Sequence, residues 1–285
     1  MRALQLVPAA LLLLTSSAAS AGVTLTYERK TSDGEKGTAV MMFEPGHIRM
    51  EGMGGGGPRG GGRNAMIMDA GAKKLLIIDN EKKTYHELTE ADAKRMKESR
   101  EAMKAQMAEQ MKNVPPEHRK QAEEAMNRMG GGTPPEIKYE PLGTKKKVGG
   151  YACEMYKVSI GTLASNESCI APWSSSIVTK AEAEQFRKSF ADMEKAFAGL
   201  GMMRANDLTK APGVPVEQTH MGQDGKPEWT TTLKSVTRGS IPASQFQVPA
   251  GFTKEEMPMG RGMGRGGMGP GGPHGPGGPH GPGPH

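Results

Sequence analysis

Six short segments between Gly22 and Leu88 read as strands, and a chain that begins this way has few folds open to it. Val23–Tyr27 and His47–Glu51 alternate apolar and polar residues with period two, which turns one face of each to a core and the other to water. Thr38–Phe43, Ala65–Asp69, Lys74–Asp79 and Thr84–Leu88 complete the set. Ser32-Asp33-Gly34, Pro45-Gly46, Asp69-Ala70-Gly71 and Asp79-Asn80 supply the turns. Leu75-Leu76-Ile77-Ile78 is apolar at every position, so that strand is expected to be covered on both sides.

Strand signals return in the second half. They run from Ile137 through a hairpin with Tyr151–Val158 and Ser168–Trp173 as its arms. Val214–Met221 and Trp229–Val236 flank Gln223-Asp224-Gly225-Lys226, where Asp-Gly accepts the positive φ of a tight hairpin. About eleven strands result.

Three helices are expected with them. Thr89 with Asp92 forms an N-cap with a capping-box acid, and Met96, Met103, Met107 and Met111 then fall in a stripe about 80° wide at 100° per residue. A second, short helix after Pro115-Pro116 carries Ala122, Ala125, Met126 and Met129. Thr179 with Glu182 caps a third, whose Phe186, Phe190, Met193 and Phe197 lie on one face, and Gly199 or Gly201 ends it. The expected fold class is α+β: one large antiparallel sheet with about three helices.

Composition sets the ends of the domain. Of the 40 glycines, eight lie in Gly52–Gly62 and thirteen in the last 28 residues, so glycine marks local low-complexity tracts and not the whole fold. Residues 1–21 read as a cleaved export signal: Arg2, the apolar run Leu4–Leu14 and Ala19-Ser20-Ala21 before Gly22. No cysteine follows that site, so the attachment point of an acyl anchor is missing, and no other apolar run approaches the roughly 20 residues that cross a bilayer. Residues 22–257 then form one domain with a helical insert at 89–129. Residues 258–285 lack acidic, aromatic and branched aliphatic residues, which describes a disordered tail.

Charge argues against nucleic acid. The net charge is +6, but Arg2, Arg59, Arg63, Arg261 and Arg265 lie in the signal, the first glycine tract and the tail, and without them +1 remains. No basic face interleaved with aromatics is left. The two cysteines, Cys153 and Cys169, are equidistant from a turn near Gly161, so a single disulfide across the hairpin is expected in an oxidising compartment.

Catalytic patterns fail in turn. Gly52–Gly57 fits a phosphate-loop spacing only because a glycine run fits any, and it joins two strands where a helix is required. His86-Glu87 has Glu90 where a zinc protease needs its second histidine, and no G-x-S-x-G occurs. Neither an enzyme nor a cofactor is expected. His274, His280 and His285 form the one histidine cluster and offer weak binding of a divalent metal on the tail.

The second half resembles a known family. Gly143–Cys153 (GTKKKVGGYAC), Cys169-Ile-Ala-Pro-Trp173, Leu233–Val236 and Ile241–Phe252 (IPASQFQVPAGF) look like the bacterial envelope family called domain of unknown function 4412. That family is similar in architecture to periplasmic lipoprotein carriers, whose incomplete barrel and helices enclose an apolar cavity. The resemblance implies a sheet curved into an incomplete barrel and a periplasmic carrier of a lipid, acylated protein or apolar small molecule, and it brings no catalytic residues. Met96, Met103, Met107 and Met111 with Phe186, Phe190 and Phe197 are the candidate ligand-binding residues. An envelope structural or protein-interaction module with a filled core is the alternative, and metal handling through the tail is another. The 22 methionines against 5% aromatic residues are the compositional feature that still needs a functional reason.

Overall fold

The computed structural model describes residues 22–52, 64–112, 136–161, 166–197, 210–222 and 225–256. Its centre is one sheet. Six strands come first: β1 (Gly22–Thr31), β2 (Lys36–Glu44), β3 (His47–Glu51), β4 (Asn64–Asp69), β5 (Lys74–Asp79) and β6 (Thr84–Thr89). After helix α1 (Glu90–Lys112) follow β7 (Ile137–Val148), β8 (Tyr151–Ile160) and β9 (Asn166–Pro172). Helix α2 (Lys180–Ala196), β10 (Gly213–Met221), β11 (Pro227–Gly239), a 3-10 turn (Ala243–Phe246) and β12 (Thr253–Lys254) complete the chain.

The strand order is β12-β6-β5-β4-β3-β2-β1-β11-β10-β9-β8-β7, open at both ends. Every pairing is antiparallel except that of β12 with β6. The eleven expected strands are present, and β12 makes twelve. Two α-helices occur among the described residues where about three were expected; the short helix after Pro115-Pro116 lies outside them, as do the signal segment and the tail.

Both faces of the first half of the sheet are covered, for different reasons. On one face Val23, Leu25, Phe43, Ile48, Met68, Leu75 and Leu88 join α2 in the main core. On the other, Ala65, Ile67, Leu76 and Ile78 meet Phe246, with Ile241, Val248 and Phe252 packed around them. The C-terminal segment therefore lies across the back of β3–β6. It is fixed there by Arg49, which donates to the Gln245 carbonyl at 2.8 Å, and by Thr253 and Glu255, whose amides donate to the carbonyls of Lys83 and Tyr85. The uninterrupted apolar run of β5 is thus explained, Leu75 serving one core and Leu76 and Ile78 the other.

Both expected capping boxes form. Thr179 accepts from the Glu182 amide while Glu182 accepts from the Thr179 amide at 2.6 Å. At α1, the Asp92 carboxylate accepts from the Thr89 hydroxyl at 2.6 Å and the Thr89 amide at 2.9 Å, and Arg95 also donates to it. The Thr89 hydroxyl bond, then the amide bond, hold the Asp92 carboxyl down to about 2, below its ordinary 3.8. A lowered acid stabilises the fold above its ordinary value, and that contribution disappears as pH falls through about 2. Asp92→Asn is therefore expected to cost about 1 kcal/mol at neutral pH, a roughly fivefold loss of amide-exchange protection at Ala93–Met96. The difference from wild type should vanish by pH 2, and one that persists unchanged there refutes the assignment.

The disulfide joins Cys153 and Cys169, with Cα atoms 5.4 Å apart. The register is shifted by one position from that expected. Met155 pairs with Cys169, so the hairpin is centred on residue 162, and the cysteines are diagonal neighbours. With a sequence separation of 16 residues, the bridge should stabilise by roughly 3 kcal/mol. The Cys153→Ser/Cys169→Ser variant should lose that amount in urea denaturation, and a reductant should destabilise wild type to the same degree and leave the variant unaffected.

Candidate functional site

Strand register arranges the core face of β1–β6 in rows. The innermost row is Val23, Phe43, Ile48, Met68, Leu75 and Leu88, each directly paired with the next. All are buried. Helix α2 closes over this row: Phe186 meets Phe43 edge-on at 5.3 Å and stacks with Phe190 at 6.1 Å, and the Gly46 amide donates to the Ser189 hydroxyl.

One step along the strands the cover withdraws. The second row is Leu25, Met41, Met50, Met66, Ile77 and His86, again paired in sequence. Leu25 and Met41 are buried, while Met50, Met66, Ile77 and His86 are only half-buried. Beyond it, on the same face, Tyr27 and Ala39 are buried but Asn64 is exposed. Burial pushes the Tyr27 phenol up, so it stays neutral. The result is an apolar floor on β3–β5, sealed behind by the C-terminal segment, dry at one margin and open at the other. Such a surface can hold an apolar chain.

The residues singled out from the sequence fall on either side of this floor. Phe186, Phe190 and Phe197 are buried in the main core beside Met193. Phe186 touches the innermost row at Phe43, and Met50, Met66 and Ile77 of the second row pack against the same cluster. Met96 is half-buried against the same core, and Ala93 is buried with it. Met103 is 51% exposed, and every described side chain from Lys97 to Glu109 is exposed, so α1 leaves the sheet after its first turns. The side chains of Met107 and Met111 lie outside the described ones, as do His274, His280 and His285. Among the described residues no group of three His, Cys, Asp or Glu side chains is placed to hold a metal ion, and no helix is long and apolar enough to cross a membrane.

Met50 and Met66 were legible in principle. Ile48-Arg49-Met50 and Met66-Ile67-Met68 alternate on the core face, but only the register places the two methionines side by side.

A second cluster lies further along the sheet. The Trp229 indole stacks on His220 at 4.9 Å, and the Arg29 guanidinium lies 4.7 Å from its ring centre. Arg29 is buried and Trp229 half-buried, so the stack closes the sheet near the turns of β1 and β11.

Among the described residues, fold and floor together make an open twelve-stranded sheet with a half-buried apolar strip at the margin of its main core. Residues 117–252 match the family model described as Domain of unknown function (DUF4412), the family that the cysteine hairpin and the IPASQFQVPAGF ending resemble. The match takes in β7 to the 3-10 turn, so the strands that carry the floor precede it. No curated protein matches the sequence. Among solved structures, the chain is similar to an uncharacterized conserved protein from Thermus thermophilus, at 8% identity and a TM-score of 0.42 over 84% of this chain and 92% of that one. It is also similar to an outer membrane lipoprotein-sorting protein domain from Vibrio parahaemolyticus, at 8% identity and a TM-score of 0.26 over 80% and 90% of the two chains. A third likeness is to the Pseudomonas aeruginosa MucA/MucB complex, at 10% identity and a TM-score of 0.31 over 81% and 57%.

Proposed function

We propose that this protein is an exported binding or carrier protein that holds an acyl chain on the floor formed by Met50, Met66 and Ile77. The observation that carries the reading is the contrast between paired rows: the inner row is wholly buried, and the next is apolar yet half-open on β3–β5. Methionine suits such a floor because an unbranched, polarizable side chain adapts to chains of different shape. The Cys153–Cys169 disulfide fits the oxidising compartment that export implies. This reading assigns the protein no catalysis.

Native mass spectrometry and lipid extraction of protein purified from the periplasm should recover bound acyl species, and a fluorescent fatty acid should bind the emptied protein. Met66→Gln places a polar amide beneath the chain and should weaken the probe about tenfold, with a stability loss measured alongside by urea denaturation because Met66 is half-buried against the core. A protein that is persistently ligand-free and also ignores the probe overturns the proposal.

One observation favours the interaction-module reading. β7 is an edge strand of twelve residues, almost all exposed, with Leu142 at 47% and Lys145-Lys146-Lys147 along it. A partner strand could extend the sheet there. Lysines and the register shift between Pro141 and Lys145 equally serve to keep such an edge from pairing at random. A ligand-free protein that co-purifies with one stoichiometric partner, lost on Thr144→Pro, would favour this second reading.

A further inference from the structure

Three consecutive positions in the open row are methionine. Met41, Met50 and Met66 stand directly opposite one another on β2, β3 and β4, on one face. Adjacent strands lie roughly 4.8 Å apart, so the outer two backbones are about 10 Å apart. Thioether side chains with three rotatable bonds can converge across that span above Met50. Met41 is buried while Met50 and Met66 are half-buried, which gives the trio a dry side and an accessible one.

Met41 belongs to the main core and Met50 and Met66 pack against it, yet the neighbouring positions are filled differently. The row continues as Leu25 on one side and Ile77 on the other, and the six-residue inner row contains a single methionine, Met68. Leucine and isoleucine define a core better, because methionine is flexible and specifies packing poorly. The methionines are concentrated where the sheet face begins to open.

We propose that Met41, Met50 and Met66 form a thioether site for a soft monovalent cation, Cu(I). Thioether sulfur is an uncharged soft donor that selects Cu(I) over Zn²⁺ or Ni²⁺. The nearest same-face positions on these strands are Ala39, Phe43, Ile48, Gly52, Asn64 and Met68, none of them charged. An uncharged set cannot offset the desolvation of a divalent ion, so a single charge is the most it can accept. His86, at the end of the row, is two strands from Met66, and its Nδ1 lies 3.0 Å from the Glu255 carbonyl oxygen. The site goes beyond acyl-chain binding, and either can fail without the other, since the fatty-acid probe contains no metal.

The test is an anaerobic titration of the full chain with Cu(I) against a chromogenic chelator, repeated with Ag(I) as a redox-inert probe. One tightly bound equivalent is expected, with affinity constant from about pH 5 to pH 8 because thioethers do not titrate. Met50→Leu, which nearly conserves volume, should weaken it about tenfold or more, and Met41→Leu/Met50→Leu/Met66→Leu should abolish it. Met103→Leu on the exposed part of α1 should change nothing. Undiminished affinity in the triple variant overturns the site. So does binding lost as pH falls through about 6.5, which would assign the ion to histidines such as His274, His280 and His285. Should the triple variant misfold, methionine-methyl NMR of the wild-type chain decides. Ag(I) should shift the three resonances assigned by the single leucine variants, and a shift in none of them, or in all methionines alike, overturns the proposal.

Discussion

Phe190→Ala should remove about 3–5 kcal/mol of stability, a large part of what a domain of this kind has. Phe190 is 1% exposed, stacks with Phe186 at 6.1 Å and lies beside Met193, which is fully buried. Truncation leaves a cavity that helix and sheet cannot both close on, because α2 is held at its start by its capping box and by Arg238, which donates to Glu182 at 2.8 Å. Urea denaturation reads the loss directly, and Met103→Ala on exposed α1 should stay within about 0.5 kcal/mol of wild type. The pair also separates two roles for the aromatic helix. A phenylalanine lining a ligand cavity would lose ligand on truncation and keep most of its stability, whereas one that props up the inner row loses stability first. A Phe190→Ala protein as stable as wild type would overturn the packing described for α2.

Gly213→Ala should be comparably damaging by a different route. A methyl group there would lie 1.8 Å from the Ala171 carbonyl oxygen and 2.9 Å from the Pro172 Cα. These are backbone atoms of β9, paired with β10 at Gly213–Pro172 and Val214–Ala171, so the strands must part for the side chain to fit. A loss of about 3 kcal/mol or more is expected, with failure to accumulate in the periplasm as the coarser readout. Gly37→Ala and Gly239→Ala are the matched controls. Neither position has an atom within 4 Å of the added methyl, and both should be neutral or slightly stabilising. If Gly213→Ala behaves as they do, the close approach of β9 and β10 is not real.

Local chemistry carried far in this sequence. Alternation at Val23–Tyr27, the double-faced run of β5 and the Thr-x-x-acid signals before both helices act over a few residues, and each is found where the residues place it. What could not be read was pairing between distant segments. β12 is two residues long, and its place beside β6 follows from the C-terminal segment crossing the back of the sheet. The open row is likewise a property of register: Met41, Met50 and Met66 are scattered in sequence and become neighbours only through two hairpins. The methionine stripe of α1 illustrates the opposite limit. Its periodicity is real, but Ala93 and Met96 are enough to seat the helix, and by Met103 the chain has left the surface it was expected to cover.

The position of β1 in the middle of the sheet bears on how the molecule is made. β1 pairs early with β2, close behind it, but its other edge is satisfied only by β11, about 200 residues later. At roughly 5–20 residues per second of synthesis, a growing chain would leave that edge bare for on the order of ten to forty seconds. During that interval the hairpins β1–β6 present a complete row of unpaired amides and carbonyls to any other strand. A protein built this way depends on being kept unfolded until its end has arrived, and overproduction should fail first by joining of nascent sheets at β1, before any loss of native stability.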